Sequence, residues 1–399
     1  MEASSVIDKL SDARNSDQQN MKIARHQRGS RIYFPALLWI TQIFLTIAVI
    51  FLFSHVVSPG KYMSPDWLHM LAGWDGSWYT RIAQNGYTSV QSTAFFPGFP
   101  LAIHFVHAFT GLSYRTTAVC LANVAYLLAL IVLYKLFVDY YGVNIGRKAL
   151  WLMLVFPVGF FFQVAYTESF NLLASALFFY FLHKNRWYSA MIVGACAGSI
   201  HDLGVLLVLP ALIHWGKNRK GMQAWRATTR LLSVAVMPSG LVAYMAFLYV
   251  KFGNPLEFLK GEAFWHRQPS IPVWNIIEQF HRLAISHATT QSEWNFTVVM
   301  LMNGLITLLF YVLGVLMVID KTTSLEWKVF FILTLLASTV SVANNSLESF
   351  ARFTMVIFPG YAIFGKILKN EHAYLVTLVI LLMLRVFFTG LFGDGYVIT

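Results

Sequence analysis

Ten apolar runs, each long enough or nearly long enough to cross a lipid bilayer, limit what this chain can fold into. The runs lie at 32–57, 117–138, 149–165, 168–183, 187–214, 231–251, 296–319, 328–343, 350–368 and 373–393. A transmembrane helix needs about 20 apolar residues. Only 12% of the residues are charged, whereas soluble domains carry about 25%. We therefore exclude a soluble fold and predict an all-α polytopic membrane protein.

The run 187–214 is interrupted in its middle by polar His201-Asp202 and has basic residues at both ends. Cytoplasmic segments carry an excess of Lys and Arg, so both ends are expected on the cytoplasmic side. Two short helices that turn at His201-Asp202 satisfy this rule, because a break is tolerated where it lines a water-filled cavity. The sequence thus predicts about 11 transmembrane helices, with the N-terminus inside and the C-terminus outside.

This topology predicts a single integral membrane domain, 33–393, between a cytoplasmic tail, 1–32, and an outer tail, 394–399. The first apolar run is longer than the core of a signal peptide, so the first helix is predicted to be uncleaved. Two long segments fall outside, namely a first outer loop, 58–116, with amphipathic helices, and a second large outer loop, 252–295. Loops that carry acids, aromatics and glycines over a helical scaffold are where function is expected.

The formal net charge of +11 arises from a deficit of acids, since 18 Asp and Glu stand against 29 Lys and Arg. About 20 of these cations fall on the predicted cytoplasmic side, as the positive-inside rule expects. The charge therefore predicts membrane lipids as partners and no nucleic acid. Cys120 and Cys196 both lie in apolar runs, so neither a disulfide framework nor a metal cluster is predicted.

The first outer loop contains the segment GWDGSWYTRIAQNGY, 73–87, in which Asp75 directly follows Trp74. A carboxylate beside an indole at a membrane surface is partly desolvated and suits a general base. Helical spacing over 77–85 predicts a short amphipathic helix on the membrane surface, with Arg81 on a neighbouring face. The alternative is that Asp75 only caps this helix.

Two further charged residues stand at predicted outer helix starts. The helix dipole favours a carboxylate at Glu168, although an N-cap at Thr167 or Glu168 is a simpler explanation. Arg352 opens an apolar helix on the outer side, where a cation needs an anion such as a lipid phosphate. Its alternatives are snorkelling to the headgroups or an ion pair with Glu348.

The second outer loop offers the same phosphate-binding chemistry at Arg267, close to Trp265. Other chemistries have no support, because the chain has no phosphate-binding glycine loop, no H-E-x-x-H and no G-x-S-x-G elbow. We therefore predict no cofactor and no metal ligands, and leave a divalent cation open.

Taken together and in order, these clusters resemble the PIG-V-type mannosyltransferases, the family of the second mannosyltransferase of GPI-anchor assembly, and especially its shorter prokaryotic members. The resemblance covers about residues 70–365. The matching residues are Trp74-Asp75, Tyr79, Ile82-Ala83, Gly86-Tyr87, Ala94 to Pro97, Pro100, Phe156-Pro157, Tyr166 to Ser169, Phe252 to Pro255, Trp265, Arg352-Phe353 and Phe358-Pro359.

The resemblance implies a GT-C glycosyltransferase of the cell membrane. Such an enzyme transfers a sugar, mannose by family default, from a polyprenyl-phosphate-linked donor to a glycolipid or cell-envelope glycan, with inversion and on the extracytoplasmic face. Asp75 corresponds to the catalytic base, and Glu168 is expected to orient hydroxyl groups. Contacts to substrate or phosphate are expected from Trp74, Tyr79, Arg81, His201, Asp202, Trp265, Arg267 and Arg352.

The chain departs from its relatives at His201-Asp202, where they carry Arg-Pro. Part of the phosphate contact is therefore expected to pass to His201 or Arg352, and a GT-C-fold protein without activity stays open. A transporter or flippase of lipid-linked sugars is the other alternative. Transporters usually show repeats and ionisable residues at mid-membrane, whereas this chain has no internal repeat and one cation deep in a span, Arg385.

Overall fold

The computed structural model describes residues 32–57, 67–285, 288–343, 347–396 and 398. The predicted cytoplasmic tail 1–32 lies outside these residues except for Ile32. The beginning of the predicted first outer loop, 58–116, and two residues of the predicted outer tail, 394–399, also lie outside them.

The described residues are mainly helical, as predicted. In chain order the helices are α1 (Ile32–Val56), α2 (Trp67–Leu71), α3 (Asp75–Asn85), α4 (Gly98–Thr110), α5 (Tyr114–Tyr141), α6 (Val143–Val155), α7 (Glu168–His183), α8 (Trp187–Ile200), α9 (Val208–Asn218), α10 (Ala224–Ser233), α11 (Ser239–Phe252), α12 (Glu257–Phe264), α13 (Pro272–Ile285), α14 (Gln291–Ile319), α15 (Leu325–Thr339), α16 (Phe350–Thr354), α17 (Pro359–Ile367) and α18 (Glu371–Gly393). Short 3-10 helices lie at Val90–Ala94, Gly159–Phe162, Asp202–Leu207 and Val234–Val236.

Five helical segments of the described residues are long and apolar enough to cross a membrane. They are Ile32–Val56, Tyr114–Tyr141, Ala224–Phe252, Glu293–Ile319 and Glu371–Gly393. The protein is therefore an integral membrane protein. The other predicted runs form shorter helices, so the total of 11 crossings stays a prediction.

Two of the predicted runs are broken at a proline. The run 149–165 ends as a helix at Val155, because Pro157 has no N–H to donate and its ring clashes with the preceding turn. The run 350–368 is likewise divided, and its second helix, α17, begins at Pro359, where the missing N–H costs nothing. Both breaks leave backbone polar groups that need partners in a protein interior.

Side chains from distant helices satisfy the backbone at the first of these breaks. Arg385 of α18 is fully buried and donates from Nη1 to the carbonyl of Leu154. Gln42 of α1 donates to the carbonyl of Gly159 at 3.1 Å and accepts from the Tyr126 hydroxyl at 2.8 Å. Arg385 thus binds a carbonyl group at the end of α6, and these hydrogen bonds hold the segment that leads into α7.

The predicted turn at His201-Asp202 joins two helices that run back along each other. The Trp187 ring at the start of α8 stacks on the His214 ring near the end of α9, with ring centres 6.3 Å apart. Gly204 permits the tight turn, since a Cβ there would lie 2.2 Å from the carbonyl carbon of Ala197. His201 therefore stands at the tip of a helical hairpin.

The helices pack around one extended apolar core, in which α5 contacts both α6 and α7, and α7 contacts α8. The apolar side of α3, including Tyr79 and Ile82, also belongs to this core and faces α4 and α5. The apolar face of α3 is therefore covered by protein, and the position of this helix at the membrane surface stays a prediction.

Two short strands supplement the helical fold. Strand β1 (Arg267–Pro269) pairs antiparallel with β2 (Ser341–Ala343), with Arg267 opposite Ala343. This pairing joins the connection after α12 to the connection after α15. Arg267 is thereby brought close to the segment that carries Arg352.

Candidate active site

Asp75 is the first residue of α3, directly after a tight turn. The Gly76 N–H donates to the Gly73 carbonyl at 2.9 Å and closes the turn. Trp74 occupies the N-cap position with a φ of 50°, which is rare for a bulky residue, and makes no side-chain cap bond. The Asp75 carboxylate contacts Arg352, so helix capping does not account for this residue.

Arg352 lies between Asp75 and Glu168. Its Nη1 donates to Asp75 Oδ2 at 2.6 Å, and its Nε lies 3.1 Å from Glu168 Oε1. The Nε–H does not point at that oxygen, so the second contact is a charge interaction and not a hydrogen bond. The side chains of Arg352 and Glu168 are each 8% exposed, against 30% for Asp75. Ion pairing inside the protein therefore explains Arg352, and snorkelling does not.

Aromatic rings surround the Arg352 guanidinium. Its central carbon lies 5.1 Å from the ring centres of Tyr166 and Phe353 and 5.7 Å from that of Phe161. Such cation–π contacts add to the ion pairs and restrict the side chain. Nη2 makes no hydrogen bond to the described residues, and it is therefore free to bind an anion.

Asp75 and Arg352 open into a cavity of about 580 Å³, which we call the Asp75 cavity. Its lining residues are Trp74, Asp75, Ser77, Trp78, Tyr79, Ala94, Phe95, His201, Glu262, Trp265, Arg267, Glu348, Ser349, Arg352 and Phe353. The volume lies in the range of small-molecule sites. A sugar with its phosphate therefore fits in this space.

Three rings form one wall of the Asp75 cavity. Trp78 stacks on Phe95 with ring centres 5.6 Å apart, and Trp265 meets both rings edge-on at 5.6 and 6.1 Å. These rings come from α3, from the segment before α4 and from the end of α12. The wall is therefore rigid and apolar, as ligand pockets commonly are.

Arg267 supplies a second cation to the Asp75 cavity. Its Nε lies 3.5 Å from Glu262 Oε2, and its guanidinium lies 4.9 Å from the Phe353 ring centre. Burial lowers the pKa of Arg267, and Glu262 opposes this change. Burial also raises the pKa of Glu262, against the effect of Arg267. The guanidinium stays charged and available to an anion, because an arginine side chain is not deprotonated in proteins.

His201 lines the Asp75 cavity and forms an ion pair with Asp202 through Nδ1. Burial lowers the pKa of His201, but the Asp202 carboxylate more than offsets it, so the pKa is raised. Partial desolvation raises the pKa of Asp202, but His201 and the Leu203 N–H more than offset it, so the pKa is lowered. The pair therefore places an imidazole at the wall of the Asp75 cavity, and the Asp202 carboxylate favours its protonated form.

We expect the His201–Asp202 pair to stabilise the protein in a defined pH window. The contribution of His201 is fully present below the pKa of an unfolded histidine, about 6.5, and is lost as the pH rises through the raised folded value. That of Asp202 is present above about 3.9 and is lost at lower pH. Asp202→Asn should therefore cost up to about 1 kcal/mol at pH 5.5, because the carboxylate is 60% exposed, and almost nothing at pH 9.

Thermal unfolding in detergent at the two pH values measures this difference. Glu278→Gln is the matched control, because it removes an exposed carboxylate pair with Arg282 that contains no histidine. A destabilisation by Asp202→Asn that is equal at both pH values would contradict the role given to His201.

The structure brings together seven of the ten site residues predicted from the sequence. Those that line the Asp75 cavity are Trp74, Asp75, Tyr79, His201, Trp265, Arg267 and Arg352. Glu168 does not line it and contacts Arg352 from within the protein, so its expected contact with substrate hydroxyls stays a prediction. Asp202 is likewise outside the lining and acts on His201.

Arg81 is placed differently from the prediction. It does not line the Asp75 cavity but a second one on the other side of α3. It follows Asp75 by six residues, which in an α-helix corresponds to a rotation of about 240°. Arg81 therefore lies on a different face of α3 from Asp75, and its expected contact with substrate or phosphate stays a prediction.

Several lining residues were not predicted as part of the site. Glu262 and Glu348 line the Asp75 cavity without belonging to a recognisable motif, and Phe353 lines it although only its match beside Arg352 was noted. Ser349 has a φ of 68°, and Trp74 also has a positive φ. Positive φ values are uncommon outside glycine. Such backbone conformations cluster at functional sites, and these two residues precede Arg352 and Asp75 closely in the chain.

The Asp75 cavity thus combines a carboxylate, two guanidinium groups and aromatic rings. This set suits a proton acceptor beside a bound phosphate. Within the described part of the chain, no three His, Cys, Asp or Glu side chains are grouped so as to hold a metal ion.

Comparison with solved structures finds a related architecture. A crystal structure of ArnT from Cupriavidus metallidurans bound to undecaprenyl phosphate superposes with a TM-score of 0.51 over 86% of this chain, at 11% sequence identity. The chain has the GT-C fold of ArnT. The apo crystal structure of the same protein gives a TM-score of 0.48 over 86% of this chain, at 12% identity.

The match covers 62% of the ArnT chain. No family model matches the sequence, and no curated protein matches it either. The resemblance to the PIG-V-type mannosyltransferases therefore stays a prediction.

Proposed function

We propose that the protein is a membrane glycosyltransferase that transfers a sugar from a polyprenyl-phosphate-linked donor to a hydroxyl group of an acceptor, with inversion. The observation that carries this proposal is the Asp75–Arg352 pair, which opens into the Asp75 cavity with Arg267 nearby. The GT-C fold supports it, since an ArnT with this fold is bound to undecaprenyl phosphate.

In the proposed reaction, the acceptor oxygen attacks the anomeric carbon of the donor sugar from the face opposite the phosphate. The bond between that carbon and the phosphate oxygen breaks, and its electron pair leaves with the polyprenyl phosphate. The acceptor proton passes to the Asp75 carboxylate. Phosphate is a good leaving group, so the reaction needs no strong general acid, and a single positioned base suffices.

The two guanidinium groups supply the positive charge for the leaving phosphate. Nη2 of Arg352 is unbonded among the described residues, and Arg267 lines the same cavity. Fixed donors aimed at developing charge lower the barrier because they need no reorganisation. Since Nη1 of Arg352 also binds Asp75, one side chain sets the distance between base and phosphate.

Glu168 is a positioning residue in this proposal. Its Oε1 lies beside Arg352 Nε, and its Oε2 is buried without a hydrogen-bond partner among the described residues. It therefore holds the guanidinium against Asp75 from the side away from the cavity. His201 lines the cavity near the proposed donor, and the ring wall of Trp78, Phe95 and Trp265 packs against the sugar.

More specifically, we propose that the transferred sugar is mannose and that the transfer takes place on the extracytoplasmic face of a cell membrane. It is supported by the motifs shared with the PIG-V-type family and by the excess of Lys and Arg on the predicted cytoplasmic side. The acceptor is a glycolipid or cell-envelope glycan.

The proposal is tested with purified protein, polyprenyl-phosphate-mannose and a panel of glycolipids. We expect a glycolipid lengthened by one hexose, together with released polyprenyl phosphate. Movement of intact donor between the leaflets of a vesicle, without cleavage, would show a flippase and contradict the proposal. Absence of both activities with mannose, glucose and aminosugar donors would leave a fold without this function.

A further inference from the structure

A second cavity lies on the other side of α3. It has a volume of about 560 Å³, and we call it the Arg81 cavity. Its lining residues are Leu68, His69, Ala72, Gly73, Trp74, Ser77, Thr80, Arg81, Gln84, Ser113, Tyr114 and Arg115. They come from α2, α3 and the start of α5, and the proposed reaction does not use this space.

Helix α3 forms the partition between the two cavities. Ser77, Arg81 and Gln84 follow one another at helical spacing and line the Arg81 cavity, whereas Asp75 lines the Asp75 cavity. Trp74 and Ser77 line both cavities. The two spaces therefore meet at the turn that carries the proposed base.

The Arg81 cavity is positively charged. Arg81, Arg115 and His69 line it, and none of the carboxylates in the described ranges of the chain does. Neither arginine has a carboxylate partner among the described residues. Arg81 donates from Nε and Nη2 to the Ser77 carbonyl and hydroxyl at 3.2 and 3.1 Å, which leaves Nη1 without a bond there.

The backbone adds to this positive charge. Helix α5 is 28 residues long and begins in the cavity wall at Tyr114. Ser113 accepts from the Thr116 N–H at 3.1 Å and caps the helix. The N-terminal end of a helix carries a partial positive charge, and Arg115 stands in its first turn. An anion is thus attracted by two guanidinium groups and by a helix end.

We propose that the Arg81 cavity binds the acceptor through a negatively charged phosphate group, and that the acceptor sugar reaches Asp75 past Trp74 and Ser77. Tyr114 and Trp74 offer rings to a sugar, and Thr80 and Gln84 offer hydrogen bonds. The acceptor is accordingly a phosphate-bearing glycolipid. This inference rests on the proposed function, because only a transferase needs an acceptor next to its base.

Binding is tested by calorimetry in dodecyl maltoside, a neutral detergent. The probes are dioctanoyl phosphatidylglycerol, glucose 6-phosphate and neutral dioctanoylglycerol. We expect at least one phosphate probe to bind and the neutral lipid not to bind. Arg81→Gln and Arg115→Gln should each weaken that binding about tenfold, the size of one charge-assisted bond. Binding of phosphatidylglycerol identifies a lipid phosphate, and binding of glucose 6-phosphate alone identifies a soluble one.

Arg186→Gln is the matched control, because Arg186 is exposed and stands before α8, at the other end of that helix from His201. It should bind the probes as the wild type does. Asp75→Asn should also retain binding, since it changes the base and not the anion site.

Two results separate this inference from the proposed function. If the wild type cleaves the donor but Arg81→Gln and Arg115→Gln keep the wild-type probe affinity and acceptor KM, the inference is overturned and the proposed function stands. If the probes bind through both arginines but the wild type cleaves no donor, the proposed function fails, and with it the role of the cavity for an acceptor.

Discussion

Replacing Asp75 by asparagine is expected to lower the rate of sugar transfer by a factor of about 100 to 10,000, the contribution of a general base. Asparagine keeps the shape of the side chain, and its amide oxygen still accepts a hydrogen bond from Arg352. It does not accept the proton of the acceptor hydroxyl. The loss should therefore fall on kcat, while the protein folds normally and binds donor as before.

Initial rates with saturating donor and acceptor, together with donor Kd from calorimetry, measure this effect. Asp139→Asn serves as the control, because Asp139 contacts His183 and Lys184 near the opposite end of α7 from Glu168. Near-wild-type turnover by Asp75→Asn would remove Asp75 from the mechanism, even if the protein proves to be a glycosyltransferase.

Replacing Arg352 by methionine is expected to reduce both stability and activity. The change leaves the buried Glu168 without a cation. Breaking a buried ion pair costs about 3 to 5 kcal/mol, and we expect about 3 because Asp75 is 30% exposed. Loss of one donor to the leaving phosphate should also lower kcat by a factor of about 100 to 1,000.

The double variant Arg352→Met, Glu168→Gln separates these two effects. Removing the second buried charge should restore most of the stability, because the remaining side chains carry no unpaired charge. It should not restore activity, because the donor to the phosphate is still missing. Arg282→Met, which removes an exposed pair with Glu278, should cost less than about 1 kcal/mol. Recovery of activity along with stability would show that Arg352 serves the fold alone.

Asp75 and Arg352 could be singled out from the sequence because of their residue types and their neighbours in the chain. Asp75 stands beside an indole, and Arg352 is a cation on the predicted outer side, where the positive-inside rule disfavours Lys and Arg. Both arrangements are unusual in a membrane protein and can therefore be recognised from the sequence alone. Their direct contact was not predicted, because it joins residues 277 positions apart. The sequence predicts that Glu168 orients substrate hydroxyl groups, because no residue near it in the chain shows that it contacts Arg352.

Other features were within reach of simple geometry. The helical rotation between Asp75 and Arg81 indicates different faces of α3, and Pro157 and Pro359 indicate helix breaks. Residues such as Glu262 and Phe353 belong to the Asp75 cavity only through tertiary packing, which includes the pairing of β1 with β2. Hydropathy identified the apolar runs, but it does not distinguish a crossing helix from two short ones that are joined inside the protein.

The arrangement of the three central charges also has a consequence for biosynthesis. Asp75 and Glu168 begin α3 and α7, whereas Arg352 lies in α16, and contacts between such distant residues form late because closing long loops costs entropy. A nascent chain that ends before α16 holds the proposed base without the cation that contacts it. Under the proposed function, such a chain lacks the arrangement that cleaves a lipid-linked sugar, so activity is coupled to the completion of the chain.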